Sequence, residues 1–223
     1  MIPDLQDATV VSVFGPVASG KTFLLKRWAE QMERVVVFDP TMEWADMPGF
    51  ESFPFWIPER GPRAFAERMA EAEAKNEPYR FVVLPSVVED AFTWTVNPVW
   101  QMSDPRWLII EEIHLLMSPM YVHESMDKLN RFARKRLLGV IGSSQRIADV
   151  HKDFTSASRM SVLFHTTEPR DLDTIADRYG EDARASVSGM RSLAYDDSAE
   201  TVSQTPQALV YKRGAGTEII DVG

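Results

Sequence analysis

The chain has 223 residues, of which 44% are hydrophobic, carries a net charge of −9 and contains no cysteine. That length and apolar share suit one sizeable domain with a full core, and the missing cysteines exclude disulfides and thiolate zinc or iron–sulfur sites. The acidic balance argues against a general nucleic-acid coat, residues 1–7 lack a signal-peptide pattern, and no run approaches the roughly 18 apolar residues of a membrane span, so a soluble chain is expected.

Residues 9–14 form a short apolar run that predicts a buried strand. It runs into Gly15, Pro16, Val17, Ala18, Ser19, Gly20, Lys21 and Thr22, a complete match to G-x-x-x-x-G-K-[ST]. Residues 23–32 then have helical spacing, and Phe23, which opens them, counts with residues 15–22 as nucleotide-binding. Strand, glycine loop and helix in that order predict a phosphate-binding loop. Glycines let the backbone wrap phosphate oxygens, and backbone N–H groups at the helix start point at the anion. Lys21 supplies a positive charge to the β- and γ-phosphates of ATP, and the Thr22 hydroxyl is a magnesium ligand. A phosphate loop alone does not separate a kinase, a GTPase and a motor.

Residues 34–39 predict a second strand. Residues 40–62, rich in Pro and aromatics, predict an ordered but irregular connection. Its aromatics Phe50, Phe53, Phe55 and Trp56 read as packing beneath it. Residues 63–75 predict a helix and residues 79–84 a third strand. Residues 107–110 form a fourth, which delivers Glu111 and Glu112 at its C-terminal end, where open α/β sheets bind ligands. Glu111 falls near the magnesium ion, reached through water, and Glu112 is placed to activate the water that attacks the γ-phosphate. The strand lies far downstream of the phosphate loop, as in additional-strand ATPases. The Asn-Lys-x-Asp motif of a GTPase is absent.

Residues 124–136 predict a helix with a basic end. Residues 138–143 predict a fifth strand, ending near Gln145, residues 147–157 a further helix, residues 160–165 a sixth strand and residues 169–179 a last helix. Residues 208–212 and 218–222 are weaker strand candidates. Between positions 128 and 152 stand seven Lys or Arg against one acid, Asp149; a solvated helix face and a binding face are equally compatible with that. Gln145 can bond both phosphate and water, since its amide donates and accepts, yet spacing alone leaves a turn-satisfying role open. His114, His123, His151 and His165 lack metal-ligand spacing and read as surface or packing residues. Met102, Met117 and Met120 read as fillers of core gaps around the glutamate strand. Strands alternating with helices predict an α/β fold, a mostly parallel central sheet with helices on both faces.

The segment 131–151, RFARKRLLGVIGSSQRIADVH, resembles the FtsK–HerA family of DNA translocases, which has an arginine-containing helix, an apolar strand and a Gln-Arg-Pro-like turn. Residues 155–164 and 168–177 are also similar to it, so the resemblance covers about residues 9–179. The chain departs from the family in having Glu111 where an Asp is usual, and Ile147 where the turn has a Pro. Within the family it most resembles the genome-packaging ATPases of membrane-containing icosahedral viruses. The resemblance implies a RecA-like P-loop NTPase of the additional-strand, catalytic-glutamate type. It implies a single domain over residues 1–223, with a β-rich extension over about 190–223. It also implies a homo-oligomeric ring, commonly a hexamer, with ATP and magnesium between subunits. Double-stranded DNA held by its phosphate backbone and capsid vertex proteins are the implied partners, and the host cytoplasm and the virion the implied locations. A trans arginine finger is implied as well, with Arg134 first and Arg146 and Arg159 behind it. The competing reading is a DNA-independent assembly or secretion ATPase, such as a virion-extrusion motor; a small-molecule kinase is a third.

Overall fold

The computed structural model describes residues 3, 10–56, 59–196 and 201–223. Residues 1–7, apart from Pro3, lie outside the described residues, as do Thr9 of the expected first strand and Ile57 and Pro58 of the Pro-rich stretch.

In chain order the elements begin β1 (Val10–Phe14), α1 (Lys21–Ala29), β2 (Arg34–Phe38), β3 (Glu51–Pro54), α2 (Arg60–Lys75), β4 (Tyr79–Leu84), α3 (Val88–Gln101) and β5 (Arg106–Ile110). A hairpin of β6 (Met117–Ser118) and β7 (Tyr121–Val122) follows, then α4 (Glu124–Phe132), β8 (Leu138–Ser144), α5 (Lys152–Ala157), β9 (Met160–Phe164), α6 (Pro169–Tyr179) and α7 (Glu181–Gly189). The chain ends in β10 (Ala194–Asp196), β11 (Thr201–Gln204), β12 (Gln207–Lys212) and β13 (Gly216–Asp221).

Nine strands form one sheet in the order β13-β12-β9-β1-β8-β5-β2-β4-β3. The seven from β9 to β3 are mutually parallel, whereas β12 and β13 add an antiparallel edge. Strand β8 lies between β1 and β5, so the strand ending at Gln145 separates the phosphate-loop strand from the glutamate strand. The register brings the ends into line: Phe14 pairs with Ser144, and Phe38 with Ile110. The loops that carry chemistry therefore leave one edge of the sheet together, as parallel βαβ winding requires.

Helices cover both faces, but unequally. On one face Val11, Val13, Val35, Val37 and Ile109 pack against Leu25 and Trp28 of α1, with Trp44 beside them. On the other, Val36, Phe38, Leu108, Ile110 and Val140 meet Phe65 and Met69 of α2, Phe92 and Val96 of α3, and residues of α4 to α7. The strands are buried on both faces, which is why they read as unbroken apolar runs rather than as alternation.

Three readings change. The Pro-rich connection contains β3, an edge strand paired with β4. Phe53 and Phe55 do pack there, in edge-to-face contact with Phe65, but Trp56 is half exposed. The expected helix at 147–157 is a 3₁₀ turn, Ile147–Asp149, followed by the six-residue α5. Met102 and Met117 are buried, whereas Met120 caps the β6–β7 hairpin at 96% exposure: a two-residue hairpin tip has no neighbour to bury it.

Arg106 opens β5 fully buried. Its guanidinium donates to the carbonyls of Val99, Asp104 and Arg136 at 2.7, 2.6 and 3.1 Å. It thereby ties the end of α3 to the basic turn Ala133–Arg136 that precedes β8.

Candidate active site

The phosphate loop turns on two glycines. A Cβ at Gly15 would stand 2.5 Å from Phe164 Cβ, and Gly20 has φ 100° where it starts α1. Ala18 also adopts positive φ, 58°, a mild strain for a residue with a Cβ. Lys21 is buried, and its ammonium donates to the carbonyls of Gly15 and Pro16 at 2.7 and 2.9 Å. Burial pulls the Lys21 pKa down, opposed by the charges of Glu112, Glu111 and Glu43. Ser19 Oγ is buried without a hydrogen-bond partner. A glycine cradle, a buried ammonium and an orphaned hydroxyl together fit a phosphate group.

Glu111 and Glu112 follow β5 directly, and Glu112 has left-handed backbone, φ 50°. Glu111 is buried; one oxygen accepts from the indole N–H of Trp44 at 3.0 Å and the other from the Ser143 hydroxyl. Burial raises its pKa and the two hydrogen bonds oppose that, while Asp39 and Glu43 push it further up. Trp44 is itself anchored: its backbone N–H donates to the buried Asp39 at 2.8 Å.

Glu112 accepts from Gln145 Nε2 at 2.9 Å, and its second oxygen lies 3.1 Å from His114 Nδ1. That second contact is a close polar approach rather than an aligned hydrogen bond, since Glu112 Oε2 has no hydrogen-bond partner. His114 also faces Ser144 Oγ at 3.2 Å. Burial opposes ionisation of Glu112. His114, Gln145 and the charge of Lys21 together outweigh it and hold the carboxyl below the usual carboxylate range.

A cavity of about 300 Å³ unites residues 17–23, Glu111, Glu112 and Gln145, with Thr41, Glu43 and Leu193. The three arginines stand apart from it. Arg146 leads out of the Gln145 strand but is engaged by Glu168 and Asp171 at 3.0 and 3.2 Å. Arg134 and Arg159 are exposed and precede β8 and β9, at the sheet edge opposite the cavity. The seven residues of β8 span about 20 Å between those edges.

Trp44 and His114 were not among the sequence candidates. Trp44 carries no motif; only the loop geometry directs its indole at Glu111. The signal for His114 was its place two residues after the second glutamate, close enough to turn back on it.

Fold and site define a P-loop NTPase fold of the RecA-like, additional-strand kind. No family model matches the chain, and no curated protein matches it. Among solved structures it is similar to the genome packaging NTPase B204 from Sulfolobus turreted icosahedral virus 2. Against the ATP-gammaS complex the TM-score is 0.74 at 18% identity, over 97% of this chain and 98% of that one. Against the AMPPCP complex it is 0.73 at 18% identity, over 97% of each chain. The DNA-packaging ATPase B204 from Sulfolobus Turreted Icosahedral Virus gives 0.69 at 17% identity, over 95% of this chain and 96% of that one.

Proposed function

We propose that this chain hydrolyses ATP as the motor of a ring that moves double-stranded DNA, packaging a viral genome into a preformed capsid. The observation that carries the reading is the convergence of Lys21, Glu112 and Gln145 on one cavity beside the phosphate loop. Likeness in fold to a packaging NTPase over nearly the full length of both chains supports the coupling to DNA.

In this mechanism the loop amides and Lys21 hold the β- and γ-phosphates, and the Thr22 hydroxyl and, through water, Glu111 would hold magnesium. When bound, the ion neutralises charge on the phosphate oxygens. Both Glu111 oxygens already accept hydrogen bonds, so Glu111 would act on the ion indirectly rather than by direct ligation. Glu112, kept ionised, takes the proton of the attacking water. Gln145 donates to Glu112, so a γ-phosphate that draws on the same amide bears directly on the position of the base.

The ring, commonly a hexamer, supplies the missing cation. Arg134 stands too far from its own cavity to act there, so its role is in a neighbour's site. Arg159 shares that edge and is the second choice; Arg146, already paired with two carboxylates, is the third. Lys128, Arg131, Lys135 and Arg136 surround Arg134, and Lys128 and Arg136 lie over the Trp100 ring at 4.4 and 5.5 Å. This basic surface faces DNA phosphates or the adjoining subunit. The whole chain acts as one ATPase domain, with β12 and β13 extending its sheet; capsid vertex proteins are its docking partners, in the host cytoplasm and in the virion. No helix among the described residues is long and apolar enough to cross a membrane.

The test is the ATPase rate with and without non-specific duplex DNA over a salt series. Stimulation at low salt, fading as salt rises, is expected from phosphate contacts. A rate indifferent to DNA at every salt concentration favours the DNA-independent assembly or secretion motor.

A further inference from the structure

A second cavity, of about 330 Å³, adjoins the phosphate site and shares Gly20, Phe23 and Leu193 with it. The C-terminal part of the chain forms its far wall through Pro206 and Val222. That wall is fastened to the sheet. Val222 N–H donates to the Pro206 carbonyl at 2.9 Å, and Gln207, which opens β12, exchanges bonds with Arg191 at 3.0 and 3.2 Å. Arg27 of α1 donates to the Gly223 carbonyl. Pro206 comes close enough to the phosphate loop that a Cβ at Gly20 would sit 3.2 Å from its Cγ.

The lining is apolar. Among the described side chains Thr205 alone brings a hydrogen-bonding group. Phe23 is 51% exposed despite bordering two cavities, and the Arg27 guanidinium lies 5.7 Å from its ring centroid. An exposed aromatic ring at the mouth of an apolar slot, contiguous with a phosphate cradle, has the character of a stacking platform.

We propose that this cavity receives the purine base of the bound nucleotide and holds it by apolar contact and by stacking on Phe23. The inference rests on the phosphate-loop reading above. It adds that Pro206 and Val222 belong to the nucleotide site, and that the site distinguishes adenine from guanine poorly. With Thr205 as the one side-chain hydrogen-bonding group among its described lining residues, the pocket has little with which to reject the wrong purine.

Competition binding of magnesium ATP, GTP and tripolyphosphate to the full chain tests this. ATP is expected to bind at least about tenfold more tightly than tripolyphosphate, and GTP within about threefold of ATP. Phe23→Ala should weaken both nucleotides about tenfold and leave tripolyphosphate unchanged. Leu193→Ala, at a half-buried position, should act in the same direction. Equal affinity for ATP and tripolyphosphate overturns the proposal. So does equal weakening of all three ligands by Phe23→Ala, or a preference of about a hundredfold for one purine. Loss of the underlying reading looks different: wild-type protein would bind no tripolyphosphate, or Lys21→Ala would bind it as well as wild type, and the base proposal falls with it.

Discussion

Glu112→Gln is expected to lower the steady-state ATPase rate by about 10²- to 10⁴-fold, the range of a positioned general base, while ATP still binds. The amide keeps the shape and the contact region of Gln145 but cannot accept the water's proton. Because the wild-type carboxyl is held below the usual carboxylate range, it stays ionised as pH falls towards that range. The wild-type acid limb therefore lies on the acid side of an ordinary glutamate's. Single-turnover hydrolysis measured beside nucleotide binding checks both halves. A variant that hydrolyses at the wild-type rate contradicts the assignment of the base.

Arg134→Ala is expected to cost about 10³- to 10⁵-fold in turnover if it serves as the arginine finger. The loss has a signature that distinguishes a neighbour's residue from a local one. Arg134 sits at the sheet edge away from its own phosphate loop, so the variant keeps an intact loop, Glu112 and Gln145 but disables the next subunit's site. Mixed with Glu112→Gln, which lacks the base but keeps Arg134, it should regain activity, because the loop and base of one variant and the finger of the other complete a site. No recovery in any proportion places the finger elsewhere, and Arg159→Ala in the same assay identifies the alternative. Arg146→Ala is expected to behave differently, through loss of its ion pairs with Glu168 and Asp171.

Much of this site was legible in the sequence because parallel sheets are buried on both faces. Each strand is a short apolar run, and the polar residue that ends it stands out. Glu112 and Gln145 stand just past the ends of two such runs, Lys21 follows a third within the phosphate-loop motif, and the sheet brings those ends to one edge. What escaped had no such contrast. Helix α3 carries Pro98, two tryptophans and several β-branched residues within Val88–Gln101, and so lacks the polar face and helix formers that announce a surface helix. Trp44 bonds Glu111 across 67 positions, a contact that no local pattern encodes. Met120, placed among core methionines by its neighbours in sequence, is carried outward by a hairpin only six residues long. Pro206 and Val222 reach the phosphate loop only because β12 pairs antiparallel with β9.

The C-terminal strands thus do more than extend the sheet. By closing against Gly20 they join the phosphate loop to an apolar slot, and the catalytic residues occupy the opposite wall of the same edge. Among the described residues no arginine lines the phosphate cavity: Arg146 is paired, and Arg134 and Arg159 lie across the sheet. In the ring proposed above, a second copy would supply that cation.

Displacement of a third strand from a DNA triplex by the assembled protein tests the motor most directly. With ATP, the protein is expected to strip the strand from its duplex, and Glu112→Gln is expected to bind the same DNA without displacing it. Vigorous ATP hydrolysis with the triplex left intact would contradict the account.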